Sequence, residues 1–322
     1  LEQQLDREQL ADEAAEYAVR RFETLNLPLG ELFEYQETLL QNELMRGALT
    51  RAVWSERQLF EVMVQFWSDH FNIDPSKGDS KWLKPADDRE VIRAHALGSF
   101  PAMLKASALS PSMLWYLDGR VNRRAGESER PNENYGRELL ELHTVGVDAG
   151  YTQDDVREAA RVFTGWGIDN VNNAGNFVFR ANQHDRGAKR VFGLDVPANG
   201  GKEEGDHLLD YLSTHPATAR FVSWRLAQRF VADDPPARLV DRMASTFLST
   251  GGDLGAVLRT MAGSAEFWAE AFGGGKVRTP FEYVVAAIRA VEGQVTNARG
   301  VGAQLNNMGM GLYASVPPTG YS

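Results

Sequence analysis

The sequence predicts a mainly α-helical fold: a single multi-helix domain over residues 1–322 with a small β-hairpin insert around 172–195. Three observations predict it. Apolar residues recur at helical spacing, as in Leu59, Val62, Met63, Phe66, Trp67 and His70, which follow i, i+3, i+4, i+7, i+8 and i+11. Helix starts and stops flank such stripes. Ser55 stands three residues before Gln58 and Thr152 three before Asp155, while Pro131 precedes and Gly146 follows a Glu-rich run. The alternation that suits strands is confined to 166–197, the stretch assigned to the insert.

In chain order, residues 1–50 read as helical with a break at Asn26-Leu27-Pro28, and the stripe ending at His70 is the next helix. Residues 72–84, rich in Asp, Ser, Lys and Gly, read as a loop, followed by helices near 87–97, 100–107 and 111–117. A polar loop over 118–129 leads into the Glu-rich helix, and Val156, Ala159, Ala160 and Phe163 mark the helix after it. Within the insert, Phe177 and Phe179 alternate on one strand, Asn172-Asn173-Ala174-Gly175 offers a turn, and Arg190-Val191-Phe192-Gly193 suggests a second short strand. Seven more helices are expected near 203–213, 216–231, 236–250, 253–262, 264–271, 279–291 and 297–308. No composition shift marks a domain boundary. The chain opens on helix-forming sequence and closes on Pro317-Pro318-Thr319-Gly320-Tyr321-Ser322, so further sequence is expected at both ends.

Composition narrows the chemistry. At 43% hydrophobic and 24% charged the chain has globular composition. No apolar run is long enough to span a membrane. The net charge of −10 argues against nucleic acid as a partner. With no cysteine, disulfides, thiolate metal sites and Cys nucleophiles are excluded. No His-Glu-x-x-His, phosphate-binding loop, dinucleotide fingerprint or nucleophile elbow occurs.

The densest polar segment runs Arg130-Pro131-Asn132-Glu133-Asn134-Tyr135-Gly136-Arg137-Glu138-Leu139-Leu140-Glu141-Leu142-His143. At about 100° per residue, Asn134, Glu138 and Glu141 share one helix face while His143 points to a core face. Two carboxylates so placed suit a hard divalent cation or acid–base work. They equally suit a solvated face with Glu133–Arg137 and Arg137–Glu141 pairs. His70, at the end of its stripe, and the His184-Asp185 pair supply further candidates, each against the plainer reading of a buried or turn residue.

These blocks, with Phe66-Trp67-Ser68-Asp69-His70-Phe71, the segment from Tyr151 to Trp166 and His215-Pro216-Ala217-Thr218-Ala219, resemble the bacterial domain-of-unknown-function 1800 family. The resemblance covers residues 40–320. It implies a helical, exported protein, periplasmic or secreted, often encoded beside a sulfatase-like partner, and it implies a core role for His143, where relatives often carry Phe. The reading is an enzyme with a polar cleft. Glu138, Glu141, His70 and Arg137 are its catalytic candidates, and Asn132, Asn134 and Asp185 its substrate-binding ones. Glu138, Glu141, His70 and His184 would be the ligands of a divalent metal ion. Two alternatives stay open: a non-catalytic binding or assembly protein for a carbohydrate or other surface polymer or for the sulfatase-like partner, and a glycan hydrolase.

Overall fold

A computed structural model describes residues 1–6, 9–124, 130–170, 175–273 and 276–321. They are mainly helical, with two short antiparallel hairpins, and fall into two compact units. Unit 1 joins residues 1–97 to residues 276–322, and unit 2 is the continuous stretch 98–275. No helix among the described residues is long and apolar enough to cross a membrane.

Unit 1 is built on the long helix Glu37–Trp54. Leu49, Ala52 and Val53 on one of its faces close a core with Phe281, Val285, Ala298 and Leu305, which come from the other end of the chain. Polar ties reinforce that joint. Asn72 donates to the carbonyls of Ser315 and Pro317, and the Tyr313 hydroxyl donates to Asp88. The helix Gln58–His70 buries Met63, Phe66, Trp67 and His70 as the stripe predicts. Its expected capping box does not form. The Ser55 hydroxyl donates to Asp12, and the Gln58 amide turns back to the carbonyls of Ala52 and Ser55.

The loop expected over 72–84 ends early, because a helix already starts at Ser80 and runs to Asp87. Its Lys84 and Asp87 look like surface charges in sequence, yet they form a 2.8 Å ion pair with side chains only 1% and 2% exposed. Pro85 removes one backbone donor inside this helix. The chain then widens into a π-helical segment, Asp88–Arg93, where a regular α-helix was expected.

Unit 2 follows the expected helices closely: Phe100–Leu109, Pro111–Tyr116, Gln153–Val162, Lys202–Ser213, Pro216–Phe230, Ala237–Ser249, Leu254–Ala262 and Ala265–Gly273. Thr152 and Asp155 form the predicted reciprocal cap. The insert holds two hairpins where one was expected. Strand β1 (Trp166–Ile168) pairs with β2 (Phe177–Phe179), and β3 (Lys189–Val191) with β4 (Leu194–Val196). The turn expected at 172–175 falls largely outside the described residues. Between β3 and β4, Phe192 and Gly193 both have positive φ, the pairing a tight two-residue hairpin needs. Phe192 is not glycine, and two bonds hold it in place. Its amide donates to Asp155, and its carbonyl accepts from the Tyr211 hydroxyl.

Candidate functional site

The Glu-rich segment begins with a relay of asparagines. Buried Asn122 donates to the Ala160 carbonyl and accepts from the Asn132 amide, and the Asn132 side chain in turn accepts from the Asn134 amide at 2.9 Å. That last bond sets the start of the helix Asn134–Glu138, so Pro131 lies ahead of the helix rather than inside its first turn. Gly136 lets this helix meet Gln153–Val162 backbone to backbone, since a Cβ there would stand 2.9 Å from the Ala160 nitrogen. Tyr135 anchors the buried face, edge-on to Phe163 at 5.0 Å.

From Leu139 to His143 the helix is π-helical. The Thr144 hydroxyl donates to the Leu139 carbonyl and the Gly146 amide to that of Leu140, with Gly146 at φ +87° as the sequence predicts. The wider turn keeps His143 in the core at 1% exposure. Burial pushes its pKa down to about 3, so the ring is neutral.

Glu138 and Glu141 lie half-buried on the outer face, close enough to perturb each other. The Glu138 carboxyl is held above the ordinary carboxylate range, first by burial and then by the Glu141 charge, with Arg137 opposing both. Arg137 opposes weakly because its guanidinium is engaged elsewhere, at 3.1 Å from both Glu133 and Gln153. Tyr151 completes the cluster. Its hydroxyl points at Glu141 at 3.4 Å, and burial and that carboxylate raise its pKa. Among the described residues, Glu138 accepts no hydrogen bond and forms no ion pair.

The other candidates are placed differently. Asp185 receives a two-pronged bond from Arg161 at 2.9 and 3.1 Å and one from the Gly187 amide, which hold its carboxyl below the usual range once burial is offset. His184 is 2% exposed, with Nδ1 at 2.8 Å from the Thr164 carbonyl and Nε2 at 3.3 Å from Glu204. Glu204 also takes the Lys189 ammonium at 2.5 Å, and this lysine donates to the carbonyls of Asp185 and Gly187 as well. His70 belongs to unit 1, 3% exposed among the rings of Phe66, Trp67 and Phe71. The structure therefore brings together Asn132, Asn134, Arg137, Glu138 and Glu141, and builds His184 and Asp185 into a second, buried network.

Sequence reasoning missed Tyr151 as a partner of Glu141, and it missed Glu204, the partner of Lys189, altogether. A Glu-x-x-His spacing does occur at Glu204 and His207, but Glu204 is buried and His207 exposed, so the two do not converge. Among the described residues no three His, Asp or Glu side chains gather as they would around a metal ion. Two carboxyls and a phenol are the ionisable groups of the cluster.

No curated protein and no solved structure matches the chain. The family model described as "Protein of unknown function (DUF1800)" matches residues 1–322, its whole length, and the chain belongs to that family.

Proposed function

We propose that the protein is an exported enzyme whose acid–base centre is the Glu138, Glu141 and Tyr151 cluster of unit 2, acting on a polar substrate such as a carbohydrate polymer. Glu138 carries the reading. It is a half-buried carboxyl whose pKa is raised by burial and by Glu141 and which, among the described residues, has no bonding partner, as suits a group left free to act as acid or base. Glu141 lies beside it and accepts from the Tyr151 hydroxyl. Arg137, Asn132 and Asn134 orient the segment and meet the substrate's polar groups. A divalent cation is the second arm of this proposal, and Glu138 and Glu141 would supply its two carboxylates.

A non-catalytic reading is favoured by one observation: Glu133, Arg137 and Gln153 bond to one another, as a lattice that fixes helix packing would. Glu138→Gln separates the two. A carboxyl whose pKa is raised in the fold disfavours folding above its unfolded pKa, so removing its charge leaves stability at pH 7 unchanged or higher. The expected outcome is an unshifted or raised Tm, with turnover in a glycoside and ester panel reduced about 10²–10⁴-fold. Turnover unchanged in Glu138→Gln, together with a loss of several kcal/mol in chemical denaturation of Arg137→Ala, would establish the lattice reading instead. Metal analysis of protein purified without chelator tests the cation arm.

A further inference from the structure

Charge is also concentrated in unit 1, on residues other than those of the proposed centre. A cavity of about 490 Å³ is lined from the helices Glu13–Val19, Glu37–Trp54 and Gln58–His70 and the π-helical segment Asp88–Arg93. Five arginines line it, Arg20, Arg51, Arg57, Arg89 and Arg93, against three carboxylates. The cavity is thus positive on a chain whose net charge is −10.

Four of the five have an evident hold. Arg93 grips Glu61 through two bonds, at 2.5 and 3.1 Å. Arg89 donates to the Leu25 carbonyl and to Glu90. Arg57 donates to the Leu10 carbonyl and lies 3.7 Å from Glu16, and Arg20 lies over the Tyr17 ring at 3.6 Å. Arg51 differs. It is largely shielded from solvent, yet among the described residues nothing stands within hydrogen-bond or ion-pair distance of its guanidinium. The carboxylates that act on it electrostatically are engaged already, Glu61 by Arg93 and Asp88 by the Tyr313 hydroxyl. Burial and the Arg93 charge both lower its pKa, as expected of a cation lacking a counter-ion.

We propose that this cavity is a binding site for a small organic anion carrying a tetrahedral oxyanion, a phosphate or sulfate ester, with Arg51 as the inner contact. Guanidinium groups arriving from several elements suit an anion with oxygens in several directions, whereas one fork would satisfy a carboxylate. Arg89 and Arg93, four residues apart on one helical segment, line the same cavity. The volume exceeds that of a bare anion and falls in the range of small-molecule pockets. Phe60, Ala15 and Val19 line the remainder and provide apolar surface for the organic part.

The test is calorimetric titration of the full chain with inorganic phosphate, inorganic sulfate and acetate. Saturable binding of phosphate or sulfate is expected, with acetate weaker by about tenfold or more, and the tighter of the first two names the ester class. Arg51→Met should weaken the tighter anion by about tenfold or more while leaving circular dichroism unchanged. Equal affinity for all three anions, no saturable binding, or full affinity in Arg51→Met would overturn the proposal. Should Arg51→Met fail to fold, the exposed Arg20→Gln variant serves in its place. Weaker phosphate or sulfate binding then supports the site, and unchanged affinity overturns it.

Discussion

His143 shows how much one buried ring can govern. Its folded pKa of about 3 lies far below the ordinary 6.5, so the unfolded chain takes up a proton in acid that the folded chain refuses. Stability is unaffected well above pH 6.5 and falls as pH drops from there toward 3, by about 1.4 kcal/mol per pH unit. His143→Phe should remove that slope. Urea denaturation of both proteins at pH 7, 6, 5 and 4 checks it, and parallel curves would show that the ring is not the source. The core placement of His143 was legible, because helix periodicity puts it beside Leu139 and Leu140. The partners of Asp185 and His184 were not. Arg161, Lys189 and Glu204 are ordinary charged residues in sequence, and only tertiary contact turns them into a buried network. Lys84 and Asp87 make the same point, since nothing local separates a desolvated pair from a solvated one.

Elements were read best where local chemistry decides them. The helices beyond residue 200 follow their apolar stripes to within a residue or two, and the Thr152 cap forms because both of its partners lie within one turn. Reading failed where a distant residue competes. Asp12 captures the Ser55 hydroxyl and so dissolves a cap that the spacing alone supports. The two π-helical segments were not legible either, because a widened turn has no periodic signature over five or six residues. Contact between elements yields its own prediction. At Gly136 an added methyl group would meet the Ala160 nitrogen at 2.9 Å and the Val156 oxygen at 3.2 Å, both backbone atoms that cannot swing aside. Gly136→Ala should cost about 1–3 kcal/mol in thermal or urea unfolding. A smaller loss would mean that the two helices can separate freely, and that the carboxylate cluster is not held by this contact.

Across the whole molecule, composition and periodicity conveyed the helical class and the place of the β insert, but not that residues 1–97 and 276–322 build one unit. Pairings across two hundred residues leave no trace in local pattern; Asn72 and Ser315 are unremarkable until they meet. A chain cut after residue 275 should therefore lose much of the order of its first unit. Leu49, Ala52 and Val53 would face water without Phe281, Val285, Ala298 and Leu305. Hydrogen exchange is expected to show lost protection over 1–97 and retained protection over 98–275, and equal protection in both stretches would contradict the division. The same arrangement sets an order of events on the ribosome. Synthesis runs from the amino end, so residues 1–97 wait for residues 276–322 to complete their unit, while residues 98–275 form a continuous unit that can pack within itself as it emerges. Of the two units, the one begun earlier is finished later, and its half-built apolar face is the surface a chaperone would meet.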